Sequence, residues 1–456
     1  MSTLSTLSTL STLSTLSTLS TLSTLSTSGR LPRHCVFPRS THCMSLKAPY
    51  IYGLPTIATF FTAPIPSHST MHYQFEDNGT RTKLLPGIHR VVIKVGTRLL
   101  MDVEGQSATE RVNQLVAAIA ELRDMGLEIV LVSSGAIGAG MELLGTKRRP
   151  KSLAALQAHA AVGQSLLMTL YEEACSARGF HCGQLLLTAA DLHDQERHRC
   201  VAQCLNELLA RQVLPVINEN DSVCVDEIKV GDNDTLAALV AGMARADLTI
   251  LLTTINGLRE RLPDSDELGR RISVVTALDS EVISMAQGTD GNRFSVGGMI
   301  TKLRAAAMVT RSGEPLWIAD GFDFGVLKKI FAGEDLGTLF VPSRKVRMHA
   351  KQRFLAFFSE PRGTLIVDAG AESALCKNGR SLLPGGVIGL RGVFKAGDTV
   401  RIITPENQEL GRGVVNFSNA ELSLLCGART SEIPQLLGYR PDMEEVVHRD
   451  SFVLTC

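Results

Sequence analysis

The sequence predicts an α/β protein in which a mainly parallel sheet is covered by helices and followed by a small β-rich domain. Three observations carry this. Apolar β-branched runs alternate with helical apolar spacings through residues 90–325, and alternating βα units build parallel sheets. From residue 354 the texture changes to short strands separated by glycine turns. A chain of 456 residues also exceeds one ordinary core, so two domains are expected.

In chain order, eight consecutive STL triplets fill residues 2–25, a Ser/Pro/Arg-rich stretch follows, and no acid appears before Glu76. Such composition buries no core, so residues 1–80 are expected to be disordered. One reading of this leader is an organelle transit peptide, Ser-rich, basic and acid-poor. The other is an over-extended start with the initiator at Met71, which the perfect repeat favours. "RVVIKVG" (90–96) then reads as a β-branched strand ending at glycine, and "TERVNQLVAAIAELRDMG" (109–126) as an amphipathic helix with a glycine stop. "EIVLVSSGAIGAG" (128–140) is a second buried strand entering a glycine turn, and "HCGQLLLT", "QVLPVINEN", "ADLTILLTT" and "EPLWIAD" repeat the theme. The expected limits are a first domain over 87–335, a basic linker over 336–352 and a second domain over 353–445.

Bulk composition narrows the classes. Apolar residues at 44% and charged residues at 20% fit a globular protein. Zero formal net charge argues against an extended nucleic-acid face. The nearest candidate for a membrane span, "YIYGLPTIATFFTAPIP" (50–66), is broken by prolines and polar residues, so no membrane association is expected. Ten cysteines without a CxxC pair read as reduced thiols of a cytoplasmic protein.

Ligands of parallel sheets bind beyond the carboxyl ends of the strands, and the unusual residues fall there. "NENDSVCVDEIKVGDNDTLAAL" (218–239) holds six acids and one lysine. Acids repel phosphate, but they can bind a substrate ammonium, hold Mg²⁺ that bridges phosphates, or align lysines that touch a phosphoryl group. A solvated acidic loop is the plain alternative. "IKVGT" (93–97) offers Lys94 and backbone N–H groups to a phosphate, or only a rim lysine. No Walker A motif is present. "VSSGAIGAG" (132–140) is a backbone cradle or a tight turn. In "FSVGGMITKL" (294–303) a lysine in the first turn of a helix opposes the usual charge preference and points to a bound anion. His198, Cys200 and Cys204 in "RHRCVAQC" lack a second ligand pair, so buried or half-buried structural cysteines are expected there.

Taken together, "KVGT", "VSSGAIGAG", "AAVGQSLL" (160–167), "LPVINENDSV" (214–223), "KVGDNDTLAALVA" (229–241) and "GGMITKL" (297–303) resemble the amino acid kinase family in order and spacing. "NEND…GDND" resembles its branch acting on free glutamate, and residues 350–450 resemble a PUA domain through "SLLPGGV", "GVFKAGDTVRI", "LLGY" and "EVVHRD". The resemblance implies an α/β/α sandwich that transfers the γ-phosphoryl of ATP, with Mg²⁺, to the side-chain carboxylate of L-glutamate, the first step toward proline. It assigns glutamate binding to Ser134, Asp221 and Asn233, and catalysis to Lys94, Lys302 and Asp234, the acid orienting the two lysines. It assigns nucleotide binding to Lys94, Thr253, Thr254, Val296, Gly297, Gly298, Met299, Ile300, Thr301 and Lys302. It also implies a homo-oligomer, dimer or tetramer, with L-proline as a candidate inhibitor and RNA as a candidate ligand of the PUA domain.

The chain departs from the family pattern at Arg98, where serine is usual, at Thr254, where aspartate is common, and at "SVGG" (295–298), where Gly-Thr-Gly-Gly is common. All three departures touch the nucleotide side. The alternatives are a kinase for another amino acid, or an RNA-binding PUA protein with a vestigial kinase half. Arg344, Lys345, Arg347, Lys351 and Arg353 read as a solvated linker.

Overall fold

The computed structural model describes residues 72–101, 103, 105–223, 232–261, 268–286, 298–342 and 346–455. Its strands are β1 (Tyr73–Gln74), β2 (Arg90–Val95), β3 (Glu128–Ser133), β4 (Cys182–Leu187), β5 (Leu214–Glu219), β6 (Leu248–Thr253), β7 (Arg259–Arg261), β8 (Leu268–Arg271), β9 (Val274–Val275), β10 (Leu316–Asp320) and β11 (Thr338–Phe340). Nine of them form one sheet in the order β1-β9-β11-β10-β6-β2-β3-β5-β4, while β7 and β8 pair separately. From β10 to β4 every neighbouring pair is parallel, as the alternation of strands and helices predicts.

The helices are α1 (Thr80–Leu84), α2 (Thr97–Leu100), α3 (Ala108–Asp124), α4 (Ala136–Leu143), α5 (Leu153–Ser176), α6 (Ala189–His193), α7 (Gln195–Ala210), α8 (Asn233–Ala244), α9 (Ser280–Met285), α10 (Met299–Ser312) and α11 (Val326–Phe331). Helix α3 shows why the local sequence folds so. Ser107 and Glu110 cap it reciprocally, and Val112, Leu115, Val116, Ile119 and Leu122 recur on its inner face.

Strand alternation divides the core between the two faces of the sheet. Val91, Ile93 and Val95 of β2 pack with apolar residues of α3, α5 and α11. Val92 faces the other way, into a core shared with α7, α8 and α10. Helices therefore cover both faces, giving the α/β/α sandwich. Helix α5 is long and apolar enough, with mean hydropathy 1.2 over 18 residues, to cross a membrane by composition alone. Here it buries Gly163, Leu167, Tyr171 and Cys175 in the fold instead.

Three local expectations need correction. Residues 72–80, grouped by composition with the leader, supply β1 and the start of α1. Directly after them, fully buried Arg81 donates to Ser273 Oγ at 2.7 Å, pairs with Asp335 at 3.2 Å and lies over the Trp317 ring. Cys200 and Cys204 are exposed on α7, not buried, because Leu205 and Leu209 set its inner stripe. The basic linker is not simply solvated. Arg353 is buried, pairs with Glu314 just beyond α10 and donates to Gly242 O. Arg347 pairs with Asp247 at 2.8 Å, and Lys351 donates to Ser451 Oγ at 2.7 Å. Arg344 and Lys345 lie outside the described residues.

The C-terminal part has its own sheet, β13 (Val387–Gly392), β12 (Gly363–Val367), β14 (Thr399–Ile403), β15 (Glu409–Val414) and β16 (Phe452–Leu454) in that order. Its separate core contains Leu365, Val400, Ile402, Phe417 and Leu422. A π-helical turn, Phe354–Phe358, precedes it. This turn is seated on the larger unit: the Phe358 ring lies 4.4 Å from that of His198 on α7, and the Phe358 carbonyl accepts from His193 Nδ1.

Candidate active site

Period-two alternation along β2 sends Lys94 to the same face as Val92, toward α8 and α10. There Lys94 Nζ lies 2.7 Å from Asp234 Oδ1, and Lys302 Nζ donates to Asp234 Oδ2 at 3.0 Å. Thr301 Oγ1 donates to the same Oδ2 at 2.8 Å. Asp234 is in the first turn of α8, where Asp232 caps the helix through Thr235 N at 2.8 Å. Lys302 is in the first turn of α10. One carboxylate thus holds two ammonium groups, and all three residues are at least nine-tenths buried. Burial alone would raise the Asp234 pKa, but Lys94 and Lys302 outweigh it and keep the carboxyl well below its usual range. Asp232 is pushed upward by burial and by the neighbouring Asp234 charge. The anion anticipated beside the first-turn lysine is, in this structure, Asp234; across Lys94, Asp234 and Lys302 one positive charge remains in excess.

A second cluster lies at the exits of β3 and β5. Asn233 Nδ2 donates to Ser134 Oγ and, at 3.1 Å, to Asn218 Oδ1. Asn218 Nδ2 donates to Gln164 Oε1 of α5 at 3.0 Å. Ser134 N is bonded to Val95 O at 3.1 Å, which ties this turn to the exit of β2. Gly135, at φ 119°, then turns the chain into α4. The other motif glycines serve helix packing. A Cβ on Gly163 would lie 1.8 Å from Ala136 O and 2.2 Å from Gly140 N, and one on Gly140 would lie 1.9 Å from His159 O. Backbone therefore meets backbone where α4 crosses α5.

The remaining sequence-derived positions lie along the same edge. Asp221 is half-buried in the turn after β5. Thr253 ends β6, opposite Asp320 in register, with its carbonyl accepting from Gly321 N at 2.8 Å, and half-buried Thr254 follows. Gly298 caps α10, Met299 is buried, and Ile300 and Thr301 are half-buried. Val296 and Gly297 lie outside the described residues. Arg98 is exposed on α2. Asn218 and Gln164 lie within the motifs, and their residue types alone point to no role. Parity was the available signal for Asn218, since Leu214 and Val216 of the same strand face α5. Among the described residues no group of three or more His, Cys, Asp and Glu is placed to hold a metal ion.

The amino acid kinase family matches residues 89–320, and the PUA domain matches residues 363–437. The chain is 44% identical over 365 residues to a glutamate 5-kinase of Moorella thermoacetica, covering 80% of this chain and 96% of that one. It is 43% identical over 374 residues to one from Trichlorobacter lovleyi, covering 82% of this chain and 99% of that one. A third, from Caldanaerobacter subterraneus subsp. tengcongensis, is 42% identical over 365 residues, covering 80% and 97%.

Proposed function

The chain belongs to the amino acid kinase family and to its glutamate 5-kinases, and from that premise we propose how its own residues phosphorylate the side-chain carboxylate of L-glutamate with ATP. The observation that supports the reading best is the Lys94–Asp234–Lys302 cluster beside the Ser134–Asn233 pair. Glutamate's carboxylate is ionised at pH 7, so no general base is required. A carboxylate oxygen attacks the γ-phosphorus in line, the bond to the β-phosphate bridging oxygen breaks, and charge spreads over the phosphoryl oxygens. The products are γ-glutamyl phosphate, the first intermediate toward proline, and ADP.

In this scheme Lys94 neutralises the transferring phosphoryl group and Lys302 the leaving side. Asp234 holds both ammonium groups in place before substrate arrives, so little reorganisation accompanies the reaction. Ser134, Asn233 and Asp221 bind glutamate, the acid facing its ammonium group. Thr253, Thr254 and the run 296–302 bind the nucleotide. Both Asp234 oxygens are engaged by lysines, so Mg²⁺ fits as an ion carried on the ATP phosphates, where it supplies charge neutralisation. We also propose a catalytic domain over 87–335 joined to the PUA domain at 353–445, a cytoplasmic homo-oligomer, L-proline as an inhibitor and RNA as the PUA ligand to test first.

The deciding experiment traps acyl phosphate with hydroxylamine, offering L-glutamate, N-acetyl-L-glutamate and L-aspartate separately. Signal with glutamate alone is expected, reduced on the order of 10²–10³-fold in Lys302→Ala. Signal with a different acid moves the substrate, and none from a folded sample supplied with Mg²⁺ and ATP refutes the reading.

A further inference from the structure

Helix α5 touches the Ser134–Asn233 cluster twice. Gln164 accepts from Asn218, and seven residues further along Tyr171 Oη meets Ser133 Oγ at 2.8 Å. Between those contacts the hydrogen bonds run from Asn218 to Asn233 to Ser134, and one peptide bond joins Ser134 to Ser133. The ring therefore begins and ends on a single helix. Strand alternation explains why it closes: Ile129 and Leu131 of β3, and Leu214 and Val216 of β5, face α5, so Ser133 and Asn218, the next residues of the same parity, do too.

Either hydroxyl can donate in the Tyr171–Ser133 bond, and with Tyr171 as donor the Ser133 proton is left for Ser134 O at 3.1 Å. Burial pushes the phenol pKa upward, so the proton stays in place. A fully buried ring that served only to fill space would work as phenylalanine; a buried hydroxyl needs a partner. Here the partner is the residue adjoining Ser134.

We infer that Tyr171 is a positioning residue for the acyl acceptor, its hydroxyl fixing the Ser133–Ser134 peptide and so the depth at which Ser134 Oγ meets the carboxylic acid. This rests on the glutamate-kinase reading above. Tyr171 and Ser133 reach the cluster from the α5 face, whereas the two lysines and Asp234 point toward α8 and α10, so the larger effect falls on the acid.

The experiment compares wild type with Tyr171→Phe, Ser133→Ala and the double variant in the hydroxylamine assay. Tyr171→Phe should raise KM for glutamate roughly five- to tenfold, the net worth of one buried hydrogen bond, with KM for ATP and kcat within about twofold. Ser133→Ala should lose a similar factor, and the double variant no more than either, since both remove the same bond. An unchanged KM for glutamate, an equal rise in both KM values, or a fall in kcat alone would overturn the inference. Should Tyr171→Phe fail to fold, Ser133→Ala decides: a selective rise supports the role, and no rise removes it. Wild type is assayed first. If it turns over a different acid, the glutamate reading fails by itself, and the Tyr171 comparison is made on that acid with the same outcomes.

Discussion

Replacing Asp234 by asparagine keeps the shape of the side chain and removes the negative charge between Lys94 and Lys302. Their nitrogens lie 2.7 and 3.0 Å from its two oxygens. Two ammonium groups on the order of 6 Å apart repel by about 3 kcal/mol at an effective dielectric near 20. Removing one partner from a buried charge cluster costs about 3–5 kcal/mol, and because the two figures describe the same change they are not added. Asp232 responds too: without Asp234 beside it, burial remains but one of the two causes that raise its pKa is gone. The expected result is a melting temperature lower by about 10 °C and a kcat lower by about 10²-fold, since the lysines lose their fixed placement. The informative comparison is a thermal melt with and without ATP. Phosphates replace the missing negative charge, so ATP should stabilise Asp234→Asn by more degrees than it stabilises wild type. A variant that melts within roughly 2 °C of wild type, gains no extra from ATP and keeps its kcat would show that this carboxylate does not organise the lysines.

Three further outcomes are expected. Gly163→Ala drives a methyl group into Ala136 O and Gly140 N, both backbone atoms that cannot swing aside, so denaturant titration should show a loss of about 3 kcal/mol or more. Arg353→Met leaves buried Glu314 with only Arg347, 4.0 Å away. Burial already raises the Glu314 pKa to about 7, so the carboxyl takes up a proton and the cost stays at the low end, about 3 kcal/mol; adding Glu314→Gln should recover part of it in the same titration. His198 is held neutral, its pKa lowered by burial against Phe354 and Phe358. Its stabilising effect is then complete above about pH 6.5 and is lost as pH falls further, because the unfolded chain takes up a proton the folded one resists. Melts between pH 8 and 5 should show that decline weakened in His198→Gln, and identical slopes in the two proteins would refute the assignment.

What could be read in advance depended on whether the signal was local. β2 announced itself because a β-branched run and a terminal glycine coincide, whereas the face that Lys94 occupies is set by α8 and α10 packing against it. The exposure of Cys200 and Cys204 was also within reach, since Leu205 and Leu209 fix the inner stripe of α7. Arg81 was not: its hydrogen-bond partner Ser273 is 192 positions away, and nothing nearby distinguishes it from a surface arginine. The linker hides its contacts for the same reason. A run of basic residues reads as solvated until Glu314 and Asp247, on other elements, are brought against Arg353 and Arg347. Gln164 and Tyr171 look like ordinary members of an apolar helix, and only the exits of β3 and β5 give them partners.

The glycine crossing of α4 over α5 bears on how such a pocket can diversify. Because α4 starts at the turn that carries Ser134, and main-chain atoms meet where it crosses α5, the crossing itself offers no side chain to trim or enlarge. A lineage reshaping this turn would have to do so by substitution around the crossing, at Gln164 and Tyr171 of α5, in the turn holding Asn220, Asp221 and Ser222 or near the start of α8. The crossing would be inherited unchanged, and its two glycines would tolerate replacement least when everything around them had drifted.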